Sequence, residues 1–128
     1  MSEKRVVRTE AAPAPFQGAP YSQAIAAGGF VFVSGQLGLK PGDTEISGDI
    51  EEQTEQVFAN LRAILEEAGS SLDRLVRTTV YLQRLDDFQE MNAVYARHVG
   101  EQPPARATVE VAKLPSGALV EIDAVALL

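Results

Sequence analysis

Residues 119–127 read Leu-Val-Glu-Ile-Asp-Ala-Val-Ala-Leu, and no other feature of the 128-residue chain restricts its fold so tightly. Read as a strand, whose side chains alternate from face to face, the segment sends Val120, Ile122, Ala124 and Ala126 one way. Leu119 and Val125 point the other way, with Glu121 and Asp123 interrupting them. A strand that is apolar on both faces must be covered on both. The pattern therefore calls for helices on one side of a sheet and a second cover on the other. Another subunit is one source of that cover. Its number is not written in the pattern.

The helical cover is legible. Val57, Leu61, Ile64, Leu65 and Ala68 form one stripe at helical spacing, which predicts a helix over residues 50–68. Asp49 can cap its start with Glu52 three residues on, and Gly69 can supply a left-handed stop. A second helix is expected after Asp87 as cap, with Glu90 as its capping-box partner. Its inner stripe would be Phe88, Met91, Val94, Tyr95 and His98, and Pro103-Pro104 would stop it. Strands are expected at residues 4–9, 30–35, 75–82, 105–111 and 119–127. The last two would meet as a hairpin around Leu114-Pro115-Ser116-Gly117. Between the first two strands, residues 11–20 carry three prolines and read as a loop pinned over a surface. The order strand, strand, helix, strand, helix, strand, strand predicts an α/β two-layer sandwich, one domain over residues 1–128.

Composition removes several kinds of chemistry. The chain has no cysteine, hence no disulfide, thiolate metal site or cysteine nucleophile. A single histidine, His98, argues against a His-based zinc site or a Ser-His-Asp triad. It is expected to pack or cap near its helix end. A domain this size buries roughly 68% of the surface its unfolded chain exposes, enough for a core without staples. The N-terminal residues lead into no signal-sequence core, and no run approaches the ~20 apolar residues of a membrane span. A cytoplasmic setting is the expectation. With a net charge of −7 and no Lys/Arg cluster, general nucleic-acid binding is disfavoured.

Polar residues in unusual places remain. In residues 105–111, Ala105, Ala107, Val109 and Val111 share one face, while Arg106, Thr108 and Glu110 share the other. A hairpin with the last strand would bring Arg106 and its acidic residues to one sheet face. The plain outcome is a solvated ion pair worth ~0.2–1 kcal/mol. The alternative is a guanidinium kept for a ligand carboxylate, with the small neighbours Ala105 and Ala107 leaving room for a pocket. Tyr21 either lids a site or anchors its loop. Ser34-Gly35 ends a strand, where an unshielded backbone can approach a ligand or simply turn. Asn92, within the second helix, is ordinarily an outward polar residue. Gly35-Gln36-Leu37-Gly38 lacks the lysine and the glycine spacing of a phosphate loop.

Taken together, these segments resemble the Rid family (reactive intermediate deaminases, formerly YjgF). The stretches that carry the resemblance are Ala19-Pro20-Tyr21-Ser22-Gln23-Ala24, Val33-Ser34-Gly35-Gln36, Val76-Arg77-Thr78-Thr79-Val80-Tyr81-Leu82, and Asp87-Phe88 with Met91-Asn92-Ala93-Val94-Tyr95. They continue through Pro104-Ala105-Arg106-Ala107-Thr108-Val109-Glu110-Val111, Leu114-Pro115 and Val120-Glu121-Ile122-Asp123-Ala124-Val125-Ala126. The resemblance implies a chorismate-mutase-like fold, a homotrimer with sites between subunits, and no metal or cofactor. It also implies hydrolysis of 2-aminoacrylate, 2-iminopropanoate and 2-iminobutanoate, released by pyridoxal-phosphate enzymes, to 2-keto acids and ammonia. By the same resemblance Arg106 would grip the substrate carboxylate and Glu121 would hold the attacking water. Tyr21, Ser34, Gly35 and Asn92 would line the cleft. Thr108 stands where many members have cysteine, leaving a backbone amide but no thiol. Rival readings are a non-catalytic small-molecule-binding module and a ribonuclease or translation inhibitor, which the acidic balance disfavours.

Overall fold

The strand with two apolar faces lies inside the sheet. A computed structural model describes residues 3–128, leaving Met1 and Ser2, the start of the segment read for a signal sequence, outside the described residues. Its strands are β1 (Arg5–Val7), β2 (Ala24–Ala27), β3 (Phe30–Leu37), β4 (Leu75–Leu82), β5 (Ala105–Glu110) and β6 (Val120–Leu127), in one sheet of order β1-β2-β3-β6-β4-β5. Two helices, α1 (Ile50–Ala68) and α2 (Phe88–Val99), cover one face. β6 runs antiparallel to both β3 and β4, while β4 and β5 are parallel and joined through α2.

Helix α1 forms as its pattern predicts. Asp49 accepts from the Glu52 amide at 2.9 Å, Glu52 returns the bond to the Asp49 amide at 3.0 Å, and Gly69 closes the helix at φ 92°. The predicted stripe is buried against Val31, Val80, Ile122 and Ala126 of the sheet. Three polar side chains on the same helix lock loops to it. Asn60 donates to the carbonyls of Leu37 and Leu39, Gln53 donates to the Gly48 carbonyl and accepts from the Leu119 amide, and Thr54 bonds back to Ile50. These bonds satisfy backbone groups that burial would otherwise leave unpaired.

Several expectations are corrected. The last two strands form no hairpin. β5 pairs with β4 alone, and β6 lies across β4 from it. The linker is carried over the end of β4 by Gln83, whose side chain accepts from the Leu114 amide at 2.9 Å and whose own amide donates to the Leu119 carbonyl at 3.1 Å. Strand β2 was not predicted, because Ala-Ile-Ala-Ala carries a single β-branched residue and is held by pairing on both edges. β3 runs on to Leu37 through a register shift after Val33. β1 is shorter than predicted. A 3-10 turn, Leu85–Asp87, leads into α2, and the Asp87 side chain makes no cap bond. His98 packs, as expected. Its ring stacks on Phe58 at 4.7 Å and its Nε2 meets Glu55, which also binds Arg97.

Among the described residues, no helix covers the other sheet face, and the β1–β2 loop only borders it. Paired positions share a face, and the register links Val6, Ile25, Phe32 and Val125 across it. Phe32 and Val109 on this face are 46% and 42% exposed. This bare apolar surface is the second face of β6 that the sequence required to be covered.

Removing the reciprocal cap tests how α1 is started. Asp49→Ala is expected to lower unfolding stability by about 1 kcal/mol in urea titration, with an unchanged m-value.

Candidate functional site

A cleft of about 730 Å³ opens on the bare sheet face, between the β1–β2 loop and strands β3 and β6. Buried Gln23 holds the loop that forms its wall. Gln23 Oε1 accepts from the Thr9 main-chain amide at 2.7 Å, and Gln23 Nε2 donates to the Thr9 and Pro13 carbonyls. Ser34 ties the loop to the sheet, its hydroxyl donating to the Ser22 carbonyl at 2.6 Å and its amide to the Gln23 carbonyl at 2.9 Å. Tyr21 accepts from the Phe16 amide through its hydroxyl at 2.6 Å while its ring stays 43% exposed at the cleft. It therefore anchors the loop and lines the opening together.

Glu121 projects into this cleft from β6. The register irregularity in β3 falls at Ser34-Gly35, and a Cβ on Gly35 would collide with the Glu121 carboxyl, lying 2.9 Å from its Cδ. Glycine is needed here for close approach rather than for a turn. Burial raises the pKa of Glu121, and the charge of Asp123 two residues on raises it further. The Tyr81 hydroxyl donates to Asp123 Oδ2 at 3.0 Å, and that bond raises the pKa of the phenol.

The other group of candidate residues gathers at the β5 edge. Arg106 is in register with Thr78, whose side chain faces the helices. The guanidinium lies over the Tyr95 ring at 4.6 Å and the Phe88 ring at 5.5 Å. Among the described residues it meets no carboxylate within ion-pair distance. Thr108 follows on the same strand face. Asn92 lies on α2 between the two rings, four residues after Phe88 and three before Tyr95, with its Oδ1 buried and unpartnered. A buried acceptor without a donor is costly.

The two groups do not meet within one chain. Arg106 projects to the helix side, whereas Glu121, in register with Tyr81, projects to the bare side, and β4 runs between their strands. The expectation of an arginine and acids on one sheet face is thus corrected. It fails because β6 is not the hairpin partner of β5. Tyr21, Ser34, Gly35 and Glu121 are brought together, and so are Asn92, Arg106 and Thr108. Phe88 and Tyr95 were read only as packing residues. Their spacing with Asn92 along one helical stripe is the signal that would have joined them to Arg106. The Tyr81–Asp123 pair was also missed as a feature of the site. Among the described residues no three His, Asp or Glu side chains converge as metal ligands, and no helix is long and apolar enough to cross a membrane.

Comparison with known proteins gives a consistent result. The family model described as Endoribonuclease L-PSP matches residues 9–128. A RutC family protein of Pyrococcus abyssi is 52% identical over 124 residues, spanning 96% of each chain. The chloroplastic Reactive Intermediate Deaminase A of Arabidopsis thaliana is 45% identical over 127 residues, covering 98% of this chain and 67% of its own length. The crystal structure of Escherichia coli TdcF with bound serine superposes with a TM-score of 0.90 at 34% identity, over 97% of this chain and 98% of that one.

The raised pKa of Glu121 has a stability consequence of definite sign. A carboxyl whose folded pKa lies above its unfolded value contributes stability that is full below the unfolded value and lost as pH rises through the folded one. Glu121→Gln is therefore expected to be more stable than the wild-type chain at pH 8, with the difference disappearing at pH 4. Urea titrations at the two pH values check this.

Proposed function

The chain belongs to the Rid family of reactive intermediate deaminases, and we propose that it hydrolyses small 2-imino acids to 2-keto acids and ammonia. One observation carries the reading. Among the described residues, Arg106 and Glu121 are each left without a partner of opposite charge, and each sits beside a surface able to receive a second copy of the chain. In the proposed assembly the β5 edge of one copy docks on the bare sheet face of the next. The two surfaces differ, so the contact is head-to-tail and closes as a ring, for which the family resemblance implies three members. The exposed Phe32 and Val109 would be covered by that contact.

The chemistry then follows from the residues. Arg106 grips the carboxylate of the substrate through two parallel N–H bonds, fixing the imine carbon. Glu121 of the facing copy accepts a proton from a water as its oxygen bonds to that carbon, while the C=N π electrons move to nitrogen. The same carboxyl returns that proton to nitrogen, giving a carbinolamine, and then carries the hydroxyl proton to nitrogen as well, so that the C=O bond forms as the C–N bond breaks and ammonia leaves. An environment that raises the pKa of Glu121 moves it toward the range where a general base is most effective, an effect worth about 10²–10⁴-fold. Clamping the carboxylate contributes by orientation. Enamines such as 2-aminoacrylate enter after tautomerising to the imine. Asn92 Oδ1 offers an acceptor near the clamp, Thr108 contributes its backbone amide, and Tyr21, Ser34 and Gly35 line the water side.

The serine bound to the TdcF relative is a small acid of the class this clamp would take. An endoribonuclease role, named in the family description, requires holding phosphates. Here the cleft carries Glu121 and Asp123 on a chain of net charge −7, so repulsion disfavours it. A cytoplasmic address is the reading from the sequence, while the Arabidopsis relative is chloroplastic.

Arg106→Ala is expected to reduce keto-acid formation to the buffer rate when an amino-acid oxidase supplies 2-iminobutanoate, with the oligomer unchanged on size-exclusion chromatography. Full turnover by that variant contradicts the clamp. Wild-type rates equal to buffer for every imine tried, with ligand still bound, would leave the protein a binding module.

A further inference from the structure

Arginines that must stay in one place are usually held by a carboxylate or by carbonyls, and either partner consumes N–H donors. Arg106 is held differently. Its guanidinium lies over two aromatic rings, Tyr95 at 4.6 Å and Phe88 at 5.5 Å. A ring attracts the cation through its electron-rich face and takes none of the five in-plane donors. The charge is oriented without being neutralised.

The Tyr95 ring is itself immobilised. It is 5% exposed, its hydroxyl shares a 2.6 Å hydrogen bond with Thr78 Oγ1, and its edge meets Phe58 at 5.3 Å and 83°. Burial raises the pKa of the phenol, against the opposing effects of the Thr78 hydrogen bond and the neighbouring Arg106 cation. Phe88 sits two helical turns earlier on the same stripe and is 37% exposed, outside the main core.

We infer that Phe88 and Tyr95 are positioning residues for carboxylate recognition, fixing the Arg106 guanidinium by its π faces so that its N–H edge stays open to a ligand. The inference rests on the Arg106 clamp. It assigns the two rings to ligand affinity rather than to the bond-making steps.

The test is calorimetric titration of the oligomer with 2-oxobutanoate, alongside steady-state kinetics. Phe88→Leu keeps an apolar side chain of similar bulk but removes the π face. It is expected to weaken binding about three- to thirtyfold, with KM rising to match and kcat changing less than about twofold. Phe88→Tyr restores a ring and is expected to bind like the wild-type chain. Substitutions at Tyr95 disturb either its bond to Thr78 or the core, so the Phe88 pair decides. Wild-type affinity in Phe88→Leu, or equal weakness in Phe88→Tyr, overturns the inference. Arg106→Ala separates the two levels. Binding lost there but intact in Phe88→Leu removes only the aromatic seat. Binding retained there, or absent from the wild-type chain, removes the clamp and the seat with it.

Discussion

Strand β6 enters the sheet between β3 and β4 rather than at an edge, and the placement of every charged group of interest follows from that. An inserted strand needs apolar residues toward the helices, which Val120, Ile122, Ala124 and Ala126 supply. Its other face, among the described residues, is covered by no helix and only bordered by the β1–β2 loop. Glu121 and Asp123 are carried onto that face by simple alternation, and the glycine at position 35 gives the Glu121 carboxyl its space. Because β4 lies beyond β6, Arg106 on β5 is a strand further away and turned to the opposite side. One insertion thus divides the candidate residues into two half-sites. The division makes sense of an assembly in which neighbouring copies supply one half each.

Each half-site also carries a cost that folding alone does not explain. Glu121 is held where burial and a neighbouring carboxylate oppose its ionisation. Asn92 hides an acceptor without a donor, and Arg106 rests on rings with no acid beside it. Stability by itself would favour pairing or replacing such groups. Their coexistence along the two surfaces that the proposed ring would bring together is the physical case for a ligand. A substrate with a carboxylate, a nitrogen-bearing carbon and a nearby water would satisfy each of them.

Much of this was legible in the residues, and the exceptions have identifiable causes. Local signals were read correctly: the α1 stripe with its reciprocal Asp49–Glu52 cap, the alternation of β4, and the two-sided pattern of the last strand. Strand pairing was misread because a short, turn-rich linker looks the same whether it closes a hairpin or crosses the end of another strand. Gln83 distinguishes the cases, its side chain bonding the linker at Leu114 and its main-chain amide bonding Leu119. The alanine-rich β2 was invisible because its stability lies in its two partners. Resemblance supplied the candidate site residues, whereas spacing alone left Arg106 as an ordinary surface ion pair. The aromatic seat was within reach of helical spacing but depends on β5 lying beside α2, which the expected hairpin obscured.

The most direct test of the divided site uses two disabled chains together. Arg106→Ala and Glu121→Gln, each inactive alone, would be denatured, mixed in equal amounts and refolded into common oligomers. If neighbouring copies each supply one half-site, the mixture recovers about a quarter of the wild-type imine hydrolysis, the share of interfaces with an intact arginine on one side and an intact glutamate on the other. A mixture as inactive as its parents, with mixed oligomers shown to have formed, would contradict the account.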